Sequence, residues 1–224
     1  MKHNIPKSQI ASFDIDAQYS FTPACPDELP VPNGEDIVAQ LNEQAKFAQY
    51  RLGSKEGHSA HAHWVATKDN PVLSKIEASN MDVRWPKHCI PGTKGFETIQ
   101  GLPHPQDYHF FVWKGIEPDM HPYGSCYHDL TERLSTGVIE FLRQKDIIRV
   151  IVGGLATDYC VKITVLQLLH AGFEVVVNLG ACRGLSPLTI KEAINEMKGH
   201  GAFIIQSAQE LHIAHPNEKT SLAG

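Results

Sequence analysis

The feature that most constrains this chain is an alternation running through its second half. A fully apolar run, Ile147 to Leu155, precedes helical spacing from Asp158 to His170. Another apolar run follows from Phe173 to Leu179, then a helical pattern from Pro187 to Lys198 and a last short run, Phe203 to Ser207. Apolar residues at consecutive positions mark strands buried on both faces. Such strands separated by helices form βαβ units, so the expected class is α/β, a three-layer α/β/α sandwich around a mostly parallel sheet. The first half fits the same scheme. Ile10 to Asp16, Tyr50 to Lys55 and Tyr108 to Lys114 read as strands, and Glu35 to Tyr50 and Leu130 to Lys145 as helices. The 224 residues suit one domain, 1–224, with a core of useful size.

Between about 56 and 105 the periodicity stops, and His, Pro, Gly and Trp accumulate. A long irregular stretch inside a compact domain usually serves function, so this insertion is expected to build a site. In open parallel sheets ligands bind beyond the carboxyl ends of the strands. Asp16, Glu56, Lys114 and Cys160 all fall at such ends. Gly153 and Gly154, at the end of the central strand, fit close backbone approach better than a phosphate loop, because their spacing matches no nucleotide-binding fingerprint.

Bulk properties exclude other classes. A net charge of −5 offers no general attraction to nucleic acid or anionic membranes. No apolar run approaches the length that spans a bilayer. The segment Met1 to Ile10 lacks a hydrophobic signal core, so a cytoplasmic location is expected. Five widely spaced cysteines without a C-x-x-C pair read as free thiols in a reducing compartment.

Three groups of residues carry chemistry. In the first, Cys160 lies on a strand-to-helix turn, where a helix amino end is expected to favour thiolate. Asp16 can accept its proton and Lys114 can stabilise both anions. In the second, Glu56, His58, His61, His63 and His88 offer oxygen and imidazole donors suited to a divalent transition metal: zinc, iron or manganese. The third is aromatic. Phe21, Trp85 and Tyr123 lie in loops near strand ends and can wall a flat pocket, whereas Trp113, inside a strand, is expected in the core.

These residues together resemble the isochorismatase-like cysteine hydrolases, and among them the nicotinamidases. Asp16-Ala17-Gln18-Tyr19-Ser20-Phe21 is similar to the family's D-x-Q-x-D-F opening. Lys114-Gly115 resembles its lysine after a strand, and Ala156-Thr157-Asp158-Tyr159-Cys160-Val161 its A-T-D-x-C-V turn. Trp85-Pro86-Lys87-His88-Cys89, with Pro91-Gly92-Thr93, resembles W-P-x-H-C...G-T. The resemblance implies a Rossmann-like topology and a metal-assisted amidohydrolase that converts nicotinamide to nicotinate in NAD salvage. It implies Cys160 as nucleophile, Asp16 as general base and acid, and Lys114 as electrostatic partner. The backbone N–H groups of Ala156 and Cys160 would form an oxyanion hole after a cis bond at Leu155-Ala156.

It further implies a small-molecule substrate and a homo-oligomer. Two departures stand out: Glu56-Gly57-His58 replaces the family's D-x-H, and Ser20 stands where an acid is usual. A further histidine of some members has two candidate counterparts, His61 and His63. Two other readings remain: a superfamily hydrolase acting on isochorismate or a small amide, and a silent metal- or ligand-binding homologue.

Overall fold

The computed structural model describes residues 5–213. Six strands form one sheet: β1 (Ile10–Ile15), β2 (Tyr50–Glu56), β3 (Phe110–Lys114), β4 (Arg149–Leu155), β5 (Glu174–Arg183) and β6 (Phe203–Ile205). Their order is β3-β2-β1-β4-β5-β6, and every pairing is parallel. This is the Rossmann strand order, in which the direction of winding reverses between β1 and β4. Helices α1 (Val38–Ala45), α2 (Val138–Gln144), α3 (Lys162–His170) and α4 (Pro187–Gly199) cover the sheet, and α5 (Glu210–Ile213) follows β6.

The consecutive apolar runs have the predicted consequence. All residues of β1 and β4 are buried, and one core joins Phe13, Val150, Val152, Val165, Val175 and Val177 on one side of the sheet. Ser186 and Pro187 start α4 in the usual way: the Ser186 hydroxyl accepts from Thr189 N–H and proline occupies the first turn. Asp158 accepts from the N–H groups of Leu185 and Ser186. The turn that carries Cys160 is thereby fastened to the start of α4.

Three expectations change. The helix expected from Leu130 begins only at Val138. Asp129 draws the N–H groups of Arg133 and Leu134 into a turn, and Gly137 enters the helix at φ 88°. The helix expected over Glu35 to Tyr50 is a 3-10 turn, Gly34–Ile37, followed by α1, which ends at Ala45. The chain must then cross to Tyr50, which pairs with Ala11. Trp113 is 45% exposed, because β3 is an edge strand, and its ring rests on Phe96.

The insertion from 57 to 104 holds no helix and only isolated bridges, such as Val65 with Trp85. No helix of the described residues is long and apolar enough to cross a membrane. The residues beyond Ile213, which closes α5, lie outside the described residues.

Candidate active site

The strand ends deliver four titratable groups to one point at the reversal of winding. Asp16 follows β1 with φ 44°, a turn that aspartate tolerates better than most side chains. Its Oδ1 accepts from Ser54 on β2 at 2.7 Å, and its Oδ2 lies 3.0 Å from the Lys114 ammonium. Glu56 ends β2 and Lys114 ends β3, paired in register, with Glu56 Oε1 2.7 Å from Lys114 Nζ. Cys160 comes from the turn after β4, its Sγ 3.8 Å from Lys114 Nζ and 3.5 Å from Glu56 Oε1. One oxygen each of Asp16 and Glu56 and the sulfur of Cys160 lie within 4.8 Å of one another.

Burial sets the protonation of this cluster, since all four side chains are almost inaccessible. Burial raises Asp16 above the ordinary aspartate value despite Lys114. It also pushes the Cys160 thiol well up; Lys114 opposes this, while Glu56 and Asp16 reinforce it. The thiolate expected from a helix amino end is thus not the resting form. Residues Thr157–Val161 make a π turn, and two carboxylates face the sulfur. Burial alone would depress Lys114, but Asp16, Cys160 and Glu56 hold its ammonium well above the usual range. Burial would likewise raise Glu56, yet the Lys114 ammonium beside it keeps it well below.

Glu56 joins this cluster to a second one. Its Oε2 is 3.1 Å from Nε2 of both His58 and His88. The opposite ring nitrogens, Nδ1, face the carbonyls of Gly115 at 2.8 Å and Pro86 at 2.7 Å. A carbonyl only accepts, so each Nδ1 donates, and in the neutral ring each Nε2 presents a lone pair to Glu56. Two lone pairs and a carboxylate oxygen converging on one point are repulsive unless a cation lies between them, so the donor set fits a divalent metal. Gly115 makes room for it. At φ 76° it stands where a Cβ would come 2.4 Å from His58 Cε1.

His61 and His63 are exposed and stay out of the cluster. The imidazole that joins His58 and His88 is His121, with one ligand-capable nitrogen on each ring within 4.8 Å of the others. Sequence spacing pointed toward the segment after Glu56, whereas His121 arrives from the loop after β3. Its one signal in sequence is its nearness to Lys114 and Tyr123.

A pocket opens over both clusters, lined by Phe21, Trp85, Tyr123, Ala156 and Cys160 among others. The Tyr123 hydroxyl accepts from Trp85 Nε1 at 3.0 Å and donates to Asp82 at 2.7 Å, so the insertion fixes both aromatic walls. Tyr159 and Leu185 add walls that the motifs did not single out. The bond Leu155-Ala156 is cis, and Ala156 and Cys160 both line the pocket.

A parallel sheet of this order, with a cysteine, an acid and a lysine at its switch point, defines a class of hydrolase. The chain belongs to the isochorismatase family, whose domain matches residues 13–209. Among the proteins it is similar to are nicotinamidases. The Escherichia coli K12 nicotinamidase is 32% identical over 79% of this chain and 85% of its own length. Among solved structures, the Acinetobacter baumannii nicotinamidase/pyrazinamidase superposes with a TM-score of 0.83 at 26% identity, covering 93% of this chain and all of the other. The Pyrococcus horikoshii pyrazinamidase, solved in complex with zinc, gives 0.71 at 28% identity over 88% and 99%.

Proposed function

We propose that this protein is a metal-assisted cysteine amidohydrolase that converts nicotinamide to nicotinate and ammonia, a step of NAD salvage. The observation that carries the reading is the meeting of Asp16, Lys114 and Cys160 with an imidazole cluster on the floor of one aromatic-walled pocket.

Asp16 is the proton acceptor. Both oxygens of Glu56 are engaged, one by Lys114 and the other by two imidazoles, whereas Asp16 Oδ2 accepts no hydrogen bond among the described residues, lies 3.0 Å from the Lys114 ammonium, and belongs to a carboxylate with an oxygen within 4.8 Å of the Cys160 sulfur. The Cys160 thiol proton passes to Asp16 as sulfur bonds to the carboxamide carbon. Lys114 holds the charge of the departing proton's site and of the sulfur. The N–H groups of Ala156 and Cys160 receive the negative charge that develops on the amide oxygen. Asp16 then returns the proton to nitrogen, the C–N bond breaks and ammonia leaves a thioester on Cys160. Asp16 next takes a proton from water, whose oxygen attacks the thioester carbon. The C–S bond breaks and the sulfur recovers its proton, releasing nicotinate.

Glu56, His58 and His88 would hold the metal, with zinc the first candidate. When bound, it supplies an anchor for the pyridine nitrogen. Phe21, Trp85 and Tyr123 orient the ring. The pocket lining contains no arginine or lysine, which suits a neutral amide and disfavours a dicarboxylate such as isochorismate.

The test is ammonia release from nicotinamide by the purified protein. Cys160→Ala should abolish it, and benzamide, which lacks the ring nitrogen, should be hydrolysed far more slowly. Equal rates on both amides would sink the anchoring of the ring, and no release from nicotinamide would sink the function.

A further inference from the structure

We infer that His121 is a third imidazole ligand of the metal, making a centre of three histidines and one oxygen of Glu56. This rests on the metal-assisted reading above and extends it to a residue outside the D-x-H and W-P-x-H-C motifs.

His121 is only 2% exposed, and neither of its ring nitrogens has a hydrogen-bond partner among the described residues. A buried imidazole with both nitrogens idle forfeits the hydrogen bonds it had in water, so the arrangement calls for a ligand. The surroundings supply none. Around the ring stand Trp64 at 4.4 Å, Tyr123 at 5.1 Å and His58 at 5.2 Å, the last nearly parallel at 18°. The backbone, by contrast, is fastened: His121 N–H donates to Asn80 at 2.8 Å, and Trp64 Nε1 donates to the Met120 carbonyl at 3.1 Å. The ring is therefore held against His58 and His88 and has no protein partner there.

The donor count fits as well. Lys114 engages Glu56 Oε1, which leaves Oε2 as the oxygen nearest the imidazoles. Three nitrogens and that oxygen would offer a bound zinc ion four donors. At metal–nitrogen distances of 2.0–2.1 Å, tetrahedral ligand atoms sit about 3.4 Å apart. The nitrogens here, within 4.8 Å of one another, need draw together by on the order of 1 Å.

Cobalt(II) is the probe, read by its visible absorption and by chelator competition, with zinc competed in parallel. His121→Ala should weaken both metals at least about tenfold and change the cobalt spectrum. His121→Cys should recover affinity and add a thiolate-to-cobalt charge-transfer band that the wild type lacks, an effect no merely structural role produces. If the alanine variant does not fold, the cysteine variant decides alone through that band. Wild-type affinity and spectrum in His121→Ala, or no band in His121→Cys, would overturn the inference while leaving the metal-assisted reading intact. Absence of cobalt and zinc binding by the wild type would overturn both.

Discussion

Replacing Lys114 by methionine removes an ammonium that two buried carboxylates share, and the structure sets the size of the effect. Lys114 Nζ lies 3.0 Å from Asp16 and 2.7 Å from Glu56, and none of the three side chains is more than 2% exposed. Breaking a buried pair from one side typically costs about 3–5 kcal/mol. Proton uptake limits the loss. An aspartate that ionises near pH 4 in water costs about 1.4 kcal/mol to protonate for each pH unit above that, so about 4 kcal/mol at neutrality. The expected destabilisation near pH 7 is therefore about 3–4 kcal/mol.

The sign of the pH dependence follows from which state holds the proton. A carboxylate whose folded pKa is raised stays protonated in the native chain where the unfolded chain has released its proton. Acidification then favours the native state. The gap between wild type and Lys114→Met should shrink on acidification between about pH 7 and pH 5, by at most about 1.4 kcal/mol per pH unit, because Asp16 is already raised in the wild type. Urea unfolding at three pH values measures it. Ammonia release should fall by at least about a hundredfold. A variant within about 1 kcal/mol of wild type at neutrality, or a gap indifferent to pH, would refute the electrostatic account.

Three smaller perturbations test the surroundings. Tyr123→Phe leaves Trp85 Nε1 and Asp82 without their shared hydroxyl; it should raise KM for nicotinamide several-fold with a lesser change in kcat, and an unchanged KM in steady-state kinetics would remove Tyr123 from the pocket wall. Gly115→Ala puts a Cβ 2.4 Å from His58 Cε1, so zinc affinity by chelator competition should drop at least about tenfold while circular dichroism stays native. Gly154→Ala puts a Cβ 2.1 Å from the Ile15 carbonyl at φ 140° and should cost more than about 2 kcal/mol; an unmoved thermal midpoint would contradict so close an approach of β1 and β4.

The parallel sheet was legible because its cause is local. β4 and most of β5 are apolar at successive positions, and only a strand covered on both faces tolerates that pattern in water. Element boundaries were less legible because they depend on partners distant in sequence. The helix that begins at Val138 is delayed by a turn around Asp129, a capping that apolar spacing does not register. Trp113 was placed in the core from its strand alone, but exposure depends on whether another strand lies beyond β3, and none does among the described residues.

At the site, the residues at strand ends could be read because topology alone brings β1, β2, β3 and β4 side by side. The relocations of donor atoms could not. Ser20 stands where the resemblance led to the expectation of an acid, yet its hydroxyl donates to Glu28, and the two together receive the Cys89 N–H at 2.9 Å and 3.0 Å. A carboxylate thus still fastens the backbone next to His88, supplied from eight residues further along. Glu56 makes the complementary change. Its longer arm carries one oxygen to Lys114 and the other to His58 and His88, so one carboxylate faces the nucleophile and the imidazoles together. Both carboxylates stand where they do because a buried N–H or ammonium requires an acceptor within reach and is indifferent to which residue provides it.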